Sequence, residues 1–354
     1  MTLSAIDTRP AAASARHAPV HGAVRVWLYG VALLVFVMVL VGGATRLTDS
    51  GLSITEWKPV TGAVPPLSAE AWEAEFAKYR QIPEYERVNR GMSLSEFKTI
   101  YWWEWAHRFL GRIIGLAFAL PAVLFWTRGM IPRWLVPRLA VLFVLGGLQG
   151  AVGWYMVASG LVDRVDVSQY RLAMHLTLAA LIFAALVWVA RETKGLRMAR
   201  PTSSSLRAGA LALGGLVLLQ IYLGGLVAGL DAGLTYTTWP LMDGRLIPAA
   251  SSLLAIDPWW RNLFENVLTV QFVHRMTAYA LLACAIAFGV WQWRRGAGAL
   301  GLGVALLVVW QALVGITTLV LAVPLDWALL HQGSAFAVLA LATANAQKLA
   351  AAPD

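Results

Sequence analysis

"GGATRLTDSGLSITEW", residues 42–57, aligns without a gap on "GGLVAGLDAGLTYTTW", residues 224–239. Gly42 pairs with Gly224, Asp49 with Asp231, Gly51 with Gly233 and Trp57 with Trp239. Each copy closes an apolar run, and each is followed later by His-Arg, at 107–108 and at 274–275. Apolar runs of about 20 residues mark membrane spans. They lie near 25–45, 103–126, 134–158, 170–191, 207–229, 268–293, 298–322 and 327–348. The repeat divides these eight spans into two sets of four. An even number per set inserts both sets in the same orientation, related by an axis along the membrane normal. The predicted fold is an all-α integral membrane protein, its eight transmembrane helices forming two pseudo-symmetric four-helix bundles.

The composition agrees. Of 354 residues, 59% are hydrophobic and 13% charged, whereas soluble domains are about a quarter charged. Seventeen tryptophans suit interfacial belts. The net charge of +9 does not point to nucleic acid, because its cations fall in alternate loops. Arg128 and Arg133, then Lys194, Arg197 and Arg200, then Arg294 and Arg295 lie on one side with the N-terminus. Asp49, Asp163, Asp166, Asp231, Asp243, Asp257 and Asp326 lie on the other. The positive-inside rule then predicts cytoplasmic termini. Arg9, Arg16 and Arg25 precede the first span and no small-residue cleavage site follows, so no cleavable signal peptide is read. The expected organisation is a disordered cytoplasmic tail at 1–22, a first bundle at 23–192 with a long outer loop at 46–102, a linker at 193–206, and a second bundle at 207–350. Cys284 is the single cysteine, which excludes an intrachain disulfide and a cysteine metal cluster. Within the outer loop, Trp72, Phe76 and Tyr79 share a helical face. Ser93 to Glu96 reads as a capping box, so the second spanning helix is expected to begin outside the membrane.

Four of the six histidines sit on the second and fourth span of each set: His107 and His175, His274 and His331. All are placed near the outer face, within about two turns of the span's start. A lone intramembrane histidine is often a cross-helix hydrogen bonder. Four at matched positions predict two bis-imidazole sites, for which heme is the usual occupant. Zinc ordinarily takes more protein ligands, and no thiolate or thioether pattern favours copper. Small residues four positions on, Gly111, Ala179, Ala278 and Ala335, leave room for a flat macrocycle.

"YWWEWAHRFLGRIIG", 101–115, carries a glutamate and two arginines beside His107. Guanidinium groups match carboxylates, so Arg108, Arg112 and Arg171 are candidates for the heme propionates, with Arg46 and Arg275 alongside; snorkelling to the interface is the alternative. Glu104 stands four before Arg108 and is expected to neutralise it. The halves differ. Glu56 faces Thr238 in the alignment, Arg46 faces Ala228, Arg112 corresponds to Tyr279 and Arg171 to Trp327. A carboxylate gained by the first half suggests chemistry there, with Glu56 taking a proton or stabilising positive charge, and electron transfer in the second.

The stretches 42–66, 83–115, 145–161 ("LGGLQGAVGWYMVASGL") and 272–279 ("FVHRMTAY") resemble the heme A synthase family. They are similar to its mitochondrial and proteobacterial branch, which lacks the outer-loop cysteine pairs of another branch. The resemblance implies oxidation of a ring methyl of heme O to a formyl group, through an alcohol and a hydrated aldehyde, giving heme A for cytochrome c oxidase. It implies heme b on His274 and His331 in the second bundle, and substrate heme O flanked by His107 and His175 in the first. Glu56 matches the family's essential acidic residue. The implied location is a bacterial inner membrane, or alternatively a mitochondrial one. Expected partners are membrane lipid, an electron acceptor, heme O synthase and oxidase assembly factors, and an oligomer is compatible with the sequence without being called for by it. The rival readings are a b-type electron-relay cytochrome, which leaves Glu56 without a role, and a transporter, which the clustering of polar groups at one face disfavours.

Overall fold

The computed structural model describes residues 20–195, 203–242 and 244–350. Most of the expected tail lies outside them, as do Asp243 and residues 196–202 of the expected linker with Arg197 and Arg200. Among the described residues eight helices are long and apolar enough to cross a membrane, and there is no strand. In hydrocarbon the backbone's polar groups have no water to bond, so these apolar runs satisfy them internally as helices.

In chain order the helices are α1 (Gly22–Leu47), α2 (Ala69–Tyr79), α3 (Pro83–Arg87), α4 (Leu94–Thr127), α5 (Val136–Val157), α6 (Gln169–Glu192) and α7 (Ser204–Gly229). Three short ones follow, α8 (Ala232–Thr235), α9 (Ala250–Leu253) and α10 (Asn262–Glu265), before α11 (Val267–Arg294), α12 (Leu300–Val320) and α13 (Leu325–Ala350). The spanning ones are α1, α4 to α7 and α11 to α13. Side-chain caps set several starts: Ser68 for α2, Ser203 for α7 and Asn266 for α11. The box at Ser93 and Glu96 forms in full, and α4 runs unbroken from the outer loop into the membrane. His107 is therefore not near a helix start, although it is near the outer end of the apolar segment.

Neighbour relations repeat between the halves. α1 packs on α4 and α6, and α5 on α6; likewise α7 packs on α11 and α13, and α12 on α13. Across the halves α6 lies on α7 and α13, and α1 on α13. The α6–α7 contact is close because Gly225 faces Ala173 and Gly229 faces Gln169; a Cβ on Gly229 would meet Gln169 Cα at 2.6 Å. Small residues at such crossings are the usual device of membrane helices. One relation does not repeat. α11 and α12 pack extensively, with Gly289 against the Gly301 backbone, whereas α4 and α5 meet sparsely.

Two cores result. Leu28, Leu135, Leu186, Leu339 and Leu349 belong to the membrane core. Trp72, Phe76 and Tyr79 turn one face of α2 onto Phe97 and Tyr101, forming an aromatic cap over the outer end of α4.

Candidate bis-histidine centres and their outer rim

Each of the four histidines lies against a glycine on the preceding spanning helix. His107 on α4 meets Gly42 of α1, and His175 on α6 meets Gly153 of α5. His274 on α11 meets Gly224 of α7, and His331 on α13 meets Gly315 of α12. A Cβ at these glycines would stand 3.0 Å from His107 Nε2, 2.9 Å from His175 Cε1, 3.3 Å from His274 Cε1 and 2.6 Å from His331 Cε1. At Gly153 and Gly315 a side chain would force the ring aside, and at Gly42 and Gly224 the ring would have to give by a few tenths of an ångström. Within each half the two imidazoles are near enough to interact electrostatically, His107 with His175 and His274 with His331.

One turn before three of these glycines stands a glutamine whose amide spans ring and backbone. Gln149 Nε2 lies 3.1 Å from His175 Nδ1 and 3.1 Å from its carbonyl oxygen. Gln220 Nε2 lies 3.1 Å from His274 Nδ1 and donates to its carbonyl at 3.0 Å. Gln311 does the same for His331, at 3.1 and 2.9 Å, and its Oε1 accepts from the Ser334 hydroxyl. On α1 the corresponding residue is Met38. The sequence reading missed these partners. Their signal was present in four stretches of one pattern, "QGAVG", "QIYLG", "QALVG" and "MVLVG".

At the outer rim the expected Glu104–Arg108 pair forms at 2.6 Å. Glu104 also accepts from Ser53 Oγ and the Ile54 amide, both at 2.7 Å, and Arg108 donates to the carbonyls of Ile54 and Glu56. The pair thus fastens the 50–57 loop to α4. The second half keeps this device without a carboxylate: Gln271 donates to Ala232 and Tyr236, and Arg275 to Tyr236 and Leu241.

The other candidate arginines also have protein partners. Arg112 donates to Lys58 and Pro59 carbonyls, leaving Nη1 buried without one. Arg171 donates to the Tyr155 carbonyl and lies over that ring, 3.7 Å from its centroid. Arg46 bridges to Asp231 of the other half at 2.7 Å. Glu56 is held by Lys58 at 2.7 Å and Lys78 at 2.6 Å. Hydrogen bonds from Lys58 and Lys78 lower its pKa to about 2. So poised, Glu56 is a fixed negative charge and a poor proton acceptor, which narrows the two roles expected for it. It lines a cavity of about 350 Å³ together with Ile54, Lys58, Tyr101, Arg108 and Arg112. Deeper in the cap, burial raises the pKa of Glu84 to about 8.

The donor set fits heme: imidazoles in pairs, each in a glycine notch, beneath a rim that carries Arg46, Arg108, Arg112, Arg171 and Arg275. Among the described residues no cluster of three or more histidine, cysteine or acidic side chains offers a metal-ion site of another kind.

Residues 25–343 match the profile of a cytochrome oxidase assembly protein family, COX15-CtaA. The chain is 58% identical over 326 residues to a heme A synthase of Azorhizobium caulinodans, covering 92% of this chain and 93% of that one. It is 55% identical over 334 residues to a heme A synthase of Parvibaculum lavamentivorans, covering 93% and 95%. A heme A synthase of Methylobacterium sp. strain 4-46 is 58% identical over 334 residues, covering 92% and 91%.

Proposed function

This chain belongs to the COX15-CtaA family of cytochrome oxidase assembly proteins, and from that premise we propose how its two halves divide the work. It is a multi-pass membrane oxidoreductase that converts heme O to heme A. His274 and His331 hold a resident heme b, and His107 and His175 flank the substrate heme O. When bound, heme b supplies one-electron redox chemistry. The chain's own residues do the rest. The four imidazoles would hold the hemes, the glycine notches give the rings room, and the cap of α2 and the 50–66 loop covers the first half from the outer side.

Glu56 is placed in the first half as a fixed carboxylate at the rim of the substrate site, where it stabilises positive charge developing at the methyl carbon being oxidised. Arg108 and Arg112 line the same cavity and Arg171 lies at the same level, so they supply cationic surface for propionates, with Arg46 and Arg275 at the rim. The protein resides in a bacterial inner membrane with both termini cytoplasmic. It receives heme O from the lipid phase or from heme O synthase, passes electrons to an acceptor, and delivers product to oxidase assembly factors.

The observation that carries this reading is the fourfold histidine–glycine pairing on repeat-equivalent helices, joined to Glu56, whose repeat equivalent is Thr238. Pigment extraction from a host supplied with heme O and this chain tests it. Heme A should accumulate, and Glu56→Ala should abolish conversion with the resident heme spectrum intact. Conversion that persists in Glu56→Ala removes Glu56 from the chemistry.

A further inference from the structure

The four histidines are not held alike. In three of them a glutamine amide joins the ring to the histidine's own carbonyl. His107 has Met38 at that place, and among the described residues no hydrogen bond to its ring is found. The ring is also turned differently. His107 presents Nε2 to its glycine, whereas His175, His274 and His331 present Cε1. Absence of the amide and a different ring setting are separate observations on the same residue.

We propose that Gln149, Gln220 and Gln311 are positioning residues that fix three ligand rings, and that Met38 leaves His107 as the ligand free to turn and release. The inference rests on the heme reading given above. A thioether donates no hydrogen bond and accepts only weakly, so Met38 cannot tie a ring to a helix. Met38 aligns with Gln220 in the internal repeat, so this is one place where the halves differ within an otherwise shared arrangement. The distribution matches what each half must do. A bundle that keeps its heme needs both rings fixed, and the second half has two glutamines. A bundle that takes in substrate and discharges product at each turnover needs one ligand that lets go. His175 is then the anchoring ligand and His107 the exchanging one.

The test uses the purified full-length protein with the heme it carries, and two variants. Gln220→Met gives the second half the character of the first. The reduced protein should then bind carbon monoxide at its resident heme, with a bound fraction about fivefold above wild type at subsaturating gas, the factor expected for one net hydrogen bond. Met38→Gln should slow transfer of heme from the first half to excess apomyoglobin by about the same factor. Unchanged carbon monoxide binding in the one variant, or unchanged release in the other, overturns the inference. If Gln220→Met does not accumulate, the release rate of Met38→Gln decides alone. A wild-type protein without an imidazole-ligated heme spectrum would instead overturn the heme reading itself, and the inference with it.

Discussion

Glu104 and Arg108 meet at 2.6 Å one turn apart on α4, and between them they hold the loop that carries Glu56. Glu104 is almost fully buried, so the pair is the kind whose breaking costs far more than its formation gains. Glu104→Ala should leave Arg108 uncompensated and destabilise the protein by about 3 kcal/mol. Glu104→Gln should lose much less, because Gln271 serves at the equivalent place in the second half. Thermal unfolding in detergent ranks the two variants, and equal losses would show that the charge does not matter there.

Glu84 adds a pH dependence. Burial raises its pKa from 4.5 to about 8, so it is neutral in the folded protein at pH 7. In the unfolded chain it ionises near its ordinary value. The neutral form's advantage is therefore complete below about pH 4.5 and is lost as pH rises toward 8. Glu84→Gln should flatten the decline in melting temperature between pH 5 and pH 8. A decline as steep as wild type's would place the titration elsewhere.

Glu56 has the opposite sign. Its pKa is depressed to about 2 by the two lysines. Its contribution is present above the unfolded value and fades as pH falls through about 2. Lys78→Ala removes one of those partners, and the acid limb of heme O conversion should then move upward toward the ordinary carboxylate range. A pH–rate profile identical to wild type would mean that Lys78 does not set the charge of Glu56.

The glycine notches predict a graded series. A methyl group at Gly315 would stand 2.6 Å from the His331 ring, at Gly153 2.9 Å from His175, and at Gly224 3.3 Å from His274. Gly315→Ala should lose resident heme most severely, while Gly224→Ala should retain most of it, since its neighbour needs to give by only tenths of an ångström. Heme-to-protein ratios after purification read this directly. Equal retention in both would show that the rings move aside freely.

Much of the architecture was legible because a bilayer imposes a strong rule: an apolar run of sufficient length becomes a helix. The capping box at Ser93 and the aromatic face of Trp72, Phe76 and Tyr79 were local signals, and both appear where expected. The Glu104–Arg108 pair followed from helical spacing alone. What escaped were contacts between helices. Gln149 and His175 are 26 residues apart, and nothing in periodicity says which side chain of α5 faces which ring of α6. The small residues four positions beyond each histidine drew attention along the helix, whereas the decisive glycines lie across from it. Arg46 was read as a propionate contact because cations attract carboxylates, yet the carboxylate it meets here, Asp231, comes from the other half.

α4 runs 34 residues without a break, a length of about 51 Å at 1.5 Å per residue, against a hydrocarbon layer of about 30 Å. Its outer portion is gripped by the aromatic cap, and His107 rides on the same rod. α11 has no comparable extension: its outer end is held close to the membrane by bonds from Thr269, Gln271 and Arg275 to the loop around it, so His274 rides on a helix without an aqueous arm. The rod therefore works as a lever whose handle stands in the aqueous phase. Whatever tilts the handle is delivered to His107, with no hinge in between to absorb it.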